Sequence, residues 1–242
     1  MRGFVFYDGP SAIDGAPIVG IAVLKSSNMK TGDMVQTYIL RADMAPMHAI
    51  ASGDDVSICG DCVHRGDKLA GRARTCYVEV SKSVTSVFSA WTRGAYPLMS
   101  PTDGARMLAG RAVRIGSYGD PAAIPSRHWR ALIRRAAGHT GYTHQWRQWF
   151  ARGLRTMVMA SADSASDRDT ARAMGWRTFR VRAADESLGA REIVCPASPE
   201  GGDRRQCISC KACDGAPRGA GQASVAIIVH GAMARHFQPA AA

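Results

Sequence analysis

The chain has 242 residues, 46% of them hydrophobic, with 31 Lys and Arg against 20 Asp and Glu and seven Cys. That composition excludes the disordered, collagen-like and membrane-spanning classes and allows a sizeable core in one domain or two. The formal charge of +11 suggests attraction to polyanions, but 26 of the 31 basic residues are Arg, in a chain crowded with Ala and Gly, which reads as GC-rich codon usage and a solvated surface.

The opening residues, Met1-Arg2-Gly3-Phe4-Val5-Phe6-Tyr7-Asp8, reach an acidic residue and a Gly-Pro turn before a signal-type apolar region can form, which argues against a secretory leader. The longest apolar stretches, such as Val225-Ala226-Ile227-Ile228-Val229, fall far short of the ~20 residues that cross a bilayer. A cytoplasmic protein with no membrane partner is expected. In that reducing compartment an odd number of cysteines points to metal or redox chemistry and away from a disulfide framework.

Taken in chain order, residues 1–55 form a turn-rich segment with strands expected at 18–24 and 35–40. Residues 56–195 open on the first cysteine cluster and then alternate strand and helix patterns. Strands are expected at 76–80, 111–117, 155–160, 177–181 and 192–195. A helix over 83–92 places Val84, Val87, Phe88 and Trp91 on one face. A second, over 125–137, starts at Pro125-Ser126 and carries Trp129, Leu132 and Ile133 on one side. A third, over 164–174, has Ser164 as cap, acidic residues in its first turn and Gly175 as its stop. Residues 196–242 hold the second cysteine cluster, a Gly-rich connection, a last strand at 224–229 and an Ala-rich tail expected to fray. The order predicts an α/β fold, a partial or closed parallel (β/α) barrel with a Cys-rich C-terminal extension; an open doubly wound sheet is the competing arrangement.

The strongest chemical signal is Cys195-Pro196 followed by Cys207, Cys210 and Cys213 in a C-x2-C-x2-C run. Such spacing lets three thiolates from one loop cap three corners of a cubane, with Cys195 as the fourth, whereas tetrahedral zinc usually takes C-x2-C pairs separated by a longer loop. A [4Fe–4S] cluster is therefore expected here, with zinc as the alternative. The earlier group, Cys59, Cys62 and Cys76, is one ligand short. His64 could complete a closed Cys3His zinc site, or three cysteines could hold a second [4Fe–4S] cluster with one iron open to substrate or S-adenosylmethionine. The two groups could also converge on one site.

The combination of Ser57-Ile58-Cys59-Gly60-Asp61-Cys62, Cys76-Tyr77, Gly116-Ser117-Tyr118-Gly119-Asp120-Pro121, Ala160-Ser161-Ala162-Asp163-Ser164, Cys195-Pro196, the Cys207–Cys213 run and Val229-His230-Gly231 resembles uncharacterised bacteriophage and prophage proteins similar to the phage gene 88 family. The resemblance covers roughly residues 55 to 231. It implies a phage-type barrel with iron–sulfur ligands, distantly similar to radical S-adenosylmethionine enzymes. The chain lacks their usual C-x3-C-x2-C run.

If the strands are parallel, the residues just after each share one edge of the sheet, where ligands bind. Those exits carry Cys76 with Tyr77, Tyr118 and Asp120, His144, Ser161 and Asp163, Arg182, Cys195 and His230. Tyr118, Asp120, Ser161, Asp163 and His230 are the candidate cofactor-binding residues. Each also has a plainer role: Asp120 as a turn or helix-cap carboxylate, Ser161 and Asp163 as caps of the helix near Ser164, His144 as a surface or supporting imidazole, and His230 as a satisfied core histidine. From Arg127 to Arg155, Arg residues interleave with Tyr142, Trp146 and Trp149, as in nucleic-acid grooves. The preferred reading is an amphipathic pair with Trp129, Leu132, Trp146 and Trp149 packed inward and the Arg solvated.

Together these readings give a cytoplasmic iron–sulfur protein, with a radical-SAM-like oxidoreductase or modifying enzyme as the expected class. A zinc-stabilised protein that binds nucleic acid weakly is the alternative. The catalytic residues and the substrate, small molecule or nucleic acid, are not assigned.

Overall fold

A computed structural model describes residues 1–26, 28–67, 70–217, 221–231 and 234–236. Its frame is one sheet of nine strands: β1 (Gly3–Pro10), β2 (Pro17–Val23), β3 (Val35–Arg41), β4 (Ala112–Tyr118), β5 (Gly138–Thr143), β6 (Met159–Ala162), β7 (Thr178–Arg182), β8 (Glu192–Val194) and β9 (Ser224–Ile228). Their spatial order is β1-β2-β3-β4-β5-β6-β7-β9-β8. The first two pairings are antiparallel and all later ones parallel. The sheet advances almost wholly in one direction, without the reversal of strand order that marks a doubly wound fold. Among the described residues β1 and β8 form its two edges, so the architecture is an open α/β sheet compatible with a partial barrel.

Among the described residues seven α-helices accompany the sheet: α1 (Pro46–Ser52), α2 (Val56–Cys59), α3 (Thr85–Thr92), α4 (Pro101–Met107), α5 (Ser126–Ile133), α6 (Ala165–Ala173) and α7 (Cys207–Cys210). The start and stop signals act as expected at α6, where Ser164 Oγ accepts from Asp167 N–H and Gly175 turns the chain out at φ 83°. In α5, Trp129 and Leu132 are buried while Arg127, Arg130 and Arg134 face solvent. The Trp129 indole N–H donates to the Pro121 carbonyl at 2.8 Å and its ring meets Phe6 at 5.0 Å.

Several expectations need correction. Residues 76–80 form no strand, because the Cys76 N–H is given to the His64 carbonyl and Val80–Val84 winds as a π-helical turn into α3. The strand expected at 155–160 begins only at Met159, since the Met157 and Val158 N–H groups close a turn on Leu154. Two strands had no expectation. Phe4, Val5, Phe6 and Tyr7 are all buried in β1, and the run that reads as a poor signal sequence is a strand covered on both faces. β5, Gly-His-Thr-Gly-Tyr-Thr, reads as a turn by composition; a Cβ on Gly141 would lie 2.7 Å from Val158 Cγ1 and 3.0 Å from the Ile115 carbonyl, so close strand packing requires glycine. Trp149 is 76% exposed and does not pack inward with Trp146. The Ala-rich tail and residues 218–220 of the Gly-rich connection lie outside the described residues. No described helix is long and apolar enough to cross a membrane.

Candidate metal centres

The seven cysteines are free and fall into two places. Cys59 ends α2 and Cys62 follows it. The chain then turns through Val63–Arg65, makes an excursion and returns, so that both Thr75 and Cys76 N–H groups donate to the His64 carbonyl. This flap lies over the C-terminal ends of β4, β5 and β6. Asp120 N–H donates to the Ile58 carbonyl at 2.6 Å, and Gln145 Nε2 to the Cys59 carbonyl at 3.3 Å. Asp55, salt-bridged to Arg65 and Arg74, ties the flap at its base.

The strand exits beneath the flap supply the rest of the site. Asp163, just after β6, holds His64 Nε2 at 2.9 Å through Oδ1 and His144 Nε2 at 3.5 Å through Oδ2. His144, just after β5, also stands 3.8 Å from Cys62 Sγ. The sequence read Asp163 as a candidate cofactor-binding residue or a helix cap and His144 as a surface or supporting imidazole; Ser164 does the capping, and Asp163 is a largely buried partner of both His64 and His144. Asp120 is the cap it was read to be, accepting from Ala122 N–H at 2.9 Å. It also accepts from Thr143 Oγ1 at 2.6 Å and His144 N–H at 2.7 Å, which positions the histidine. Ser161 contributes its carbonyl to Trp146 Nε1. Burial raises the Asp163 pKa, but the charges and hydrogen bonds of His144 and His64 outweigh it and hold the carboxylate ionised. Burial works against protonation of His144, and Cys62 and Asp163 together overcome it.

Behind these groups, Cys59 and Cys76 have thiol pKa values raised by burial. Tyr118 packs beside them, its phenol raised by burial and by the Cys59 charge. Among the described residues, Tyr118 OH and Arg74 Nη2 are buried side-chain atoms without a protein partner. Two unused donors beside two buried thiols make a place where an anionic group would be stabilised.

The second group lies on a face of the sheet. Cys195 leaves β8 with its N–H on the Ala226 carbonyl, and Cys207, at the start of α7, donates its N–H to the Lys30 carbonyl. Lys211 adopts left-handed backbone (φ 51°), which turns the chain back so that Cys213 enters the interior and accepts Gly141 N–H at 3.0 Å. Cys195, Cys207, Cys210 and Cys213 line one small cavity together with Lys30, Tyr142 and Val225. The buried Arg177 guanidinium secures the returning loop through Asp214, the carbonyls of Ala212 and Gly215, and Ala223. Burial pushes the Cys213 thiol up to about 12, against the pull of Tyr142 and Arg114.

Neither Arg114 nor Lys30 stood out in the sequence, although an Arg inside the apolar strand Ala112–Tyr118 was a visible signal. Arg114 is 6% exposed; it reaches Thr140 Oγ1 and Tyr77 OH, both at 3.4 Å, and lies 4.2 Å over the Tyr142 ring. Among the described residues no carboxylate pairs with it. Tyr77 follows Cys76 and stacks on the exposed His230, which meets Lys30 Nζ at 3.2 Å. A Tyr77–Arg114–Tyr142 bridge thus joins the two cysteine places, which remain distinct.

Comparison of the chain with protein-family models, with curated proteins and with solved structures gave no match, so the chemistry is read from the site's own geometry.

Proposed function

We propose that this is a cytoplasmic iron–sulfur protein of radical-SAM-like architecture. Cys195, Cys207, Cys210 and Cys213 hold a [4Fe–4S] cluster, and Cys59, Cys62 and Cys76 hold a second cluster with one iron open to S-adenosylmethionine or substrate. The observation that supports the reading is that Cys195, Cys207, Cys210 and Cys213 all line one cavity. Arg114 and Lys30 supply positive charge beside a thiolate-bound cluster, and the unused donors of Tyr118 and Arg74 suit a second anionic centre. The cavity is about 20 Å³, room for little more than one water, so the reading requires the half-exposed 207–213 loop to stand further out in the loaded protein.

A bound cluster supplies one-electron transfer, and the chain's part is to hold the thiolates, balance their charge and exclude water. The motif resemblance to the phage gene 88 group points to the same class. Anaerobic purification with iron, sulfide and zinc analysis tests it: about eight iron and eight sulfide per chain are expected for two clusters. A colourless protein with stoichiometric zinc and no sulfide overturns it and leaves the zinc-stabilised, nucleic-acid-binding alternative, whose contact surface would be the exposed Arg127, Arg130 and Arg134 of α5.

A further inference from the structure

We infer that His64, His144 and Asp163 form a site for one mononuclear divalent transition-metal ion of the ferrous or zinc class, distinct in its ligands from any iron–sulfur cluster. The inference stands on these three side chains and does not depend on the cysteines carrying clusters.

The three donor atoms lie within 4.8 Å of one another, with His64 Nε2 and His144 Nε2 at 2.9 Å and 3.5 Å from the two oxygens of Asp163. For bonds of about 2.0–2.2 Å, neighbouring donors around one ion stand about 3 Å apart at right angles and about 3.4 Å apart in a tetrahedron. The two separations, one to each carboxylate oxygen, lie close to that range, and all three donors fall within 4.8 Å. Two imidazoles and one carboxylate, with positions left over, are the ligand set of open ferrous and catalytic zinc sites.

The support around the donors is that of a built site. A metal-bound imidazole nearly always engages its other nitrogen, which fixes ring and tautomer. His64 does so through Nδ1 to Thr75 Oγ1 at 2.8 Å. His144 is held at its main-chain N–H by Asp120, itself pinned by Thr143 and Ala122. Asp163 is fixed at its N–H by Asp167 Oδ2. The side chains are only 10–18% exposed, so the ligand positions are shielded without being sealed. All three meet where the flap crosses the C-terminal edge of parallel strands, where ligands of such sheets bind. The competing role is a metal-free His–Asp–His ion pair, a purely structural clasp.

Zinc binding decides between them. The purified chain is stripped with EDTA, dialysed against buffered free Zn2+, and its zinc, iron and sulfide are measured together. One EDTA-removable zinc per chain is expected, rebinding with its affinity lowered at least about 100-fold in His144→Gln and Asp163→Asn. Asp163→Glu, which keeps the carboxylate, should recover part of the loss, and far-UV circular dichroism identifies any variant that has failed to fold. Cys207→Ser should leave the zinc in place. No EDTA-removable ion in the wild-type chain, or zinc binding equal in wild type and folded Asp163→Asn, overturns the inference. The same samples separate the two proposals: zinc without sulfide removes only the iron–sulfur reading, and sulfide without this zinc removes only the mononuclear site.

Discussion

The first cysteine group stands over strands whose apolar residues belong to a continuous core from Phe4 to Trp176, while the second stands where the buried cluster is only Met159, Phe179, Cys195, Ala197, Cys213, Val225 and Ile227. At the first site only Cys59 packs against that core, beside Ile58, and the flap beyond it is tied down by Asp55 with its two arginines and by the Ile58 and Cys59 carbonyls. At the second, Cys195 and Cys213 are themselves core residues. The sheet around them carries buried arginines, Arg180 paired with the buried Glu192, and Arg177 and Arg182 paired with the partly exposed Asp214 and Glu200. If the proposed centres form, metal at the first site would add chemistry to an existing sheet, whereas metal at the second would also complete a core. Binding energy at such a place is folding energy.

The largest effect should come from the second site. Cys207→Ala is expected to remove about half the iron and sulfide and the corresponding visible absorbance; loss of all iron would merge the two places into one centre. In the same variant, hydrogen exchange should rise in β8, β9 and the 207–213 loop and stay unchanged in β1–β4. A uniform rise across the sheet would break the contrast between the two regions.

Next in size is the ion pair beneath the second site. Arg180 and Glu192 are 1% and 0% exposed at their side chains and joined at 2.8 Å, with Arg168 at 3.6 Å from the same carboxylate. Glu192→Gln leaves the buried Arg180 guanidinium with only the Glu186 carboxylate, at 3.4 Å, as counter-charge and should cost up to about 3–5 kcal/mol, or roughly 10 °C in thermal midpoint. Burial pushes the Glu192 pKa up, but hydrogen bonds from Arg180 and the Gly189 N–H, with the charges of Arg180 and Arg168, hold it below its ordinary value. A carboxyl lowered on folding contributes stability that is present above the unfolded value of about 4.3 and lost as pH falls through the folded value. Wild type should therefore lose stability on acidification more steeply than Glu192→Gln. Parallel acid limbs in urea unfolding would show that the pair carries no such coupling.

Much of this architecture was legible where local signals and tertiary demands agree. The caps of α6, the apolar stripe of α5 and the β-branched runs of β4 and β9 each state their own structure. What the sequence concealed arises from long-range contacts. β5 needs glycine because its neighbours approach closely, and glycine reads locally as a turn. Residues 76–80 have a strand's composition but surrender the Cys76 N–H to His64. The cysteine spacings raised the expectation of metal chemistry, and the principle that ligands gather at strand exits selected Asp120, His144 and Asp163, which the structure joins, along with Tyr118, Ser161, Arg182, Cys195 and His230, which it does not bring into that group. The pairing of His144 and Asp163 with His64 was not accessible, because it joins residues 80 and 99 positions apart through a flap whose path no local rule gives.

The smallest expected effect distinguishes most finely between a finished scaffold and a loaded one. Tyr118 is 2% exposed, and its hydroxyl has no protein partner among the described residues. A buried hydroxyl left without a hydrogen bond costs about 1–3 kcal/mol, so Tyr118→Phe should stabilise the metal-stripped protein, by about 1 kcal/mol if a trapped water meets part of the need. If a thiolate-bound centre sits between Cys59 and Cys76, the hydroxyl donates to it in the loaded protein, and the same substitution should destabilise that form by about 1 kcal/mol. The sign of the change should thus reverse on loading, a comparison that cancels any general packing effect of the ring. Urea midpoints of both forms, with and without the substitution, measure it. An equal shift in the two forms would mean that Tyr118 faces no ligand and that the first cysteine group is a structural feature of the flap.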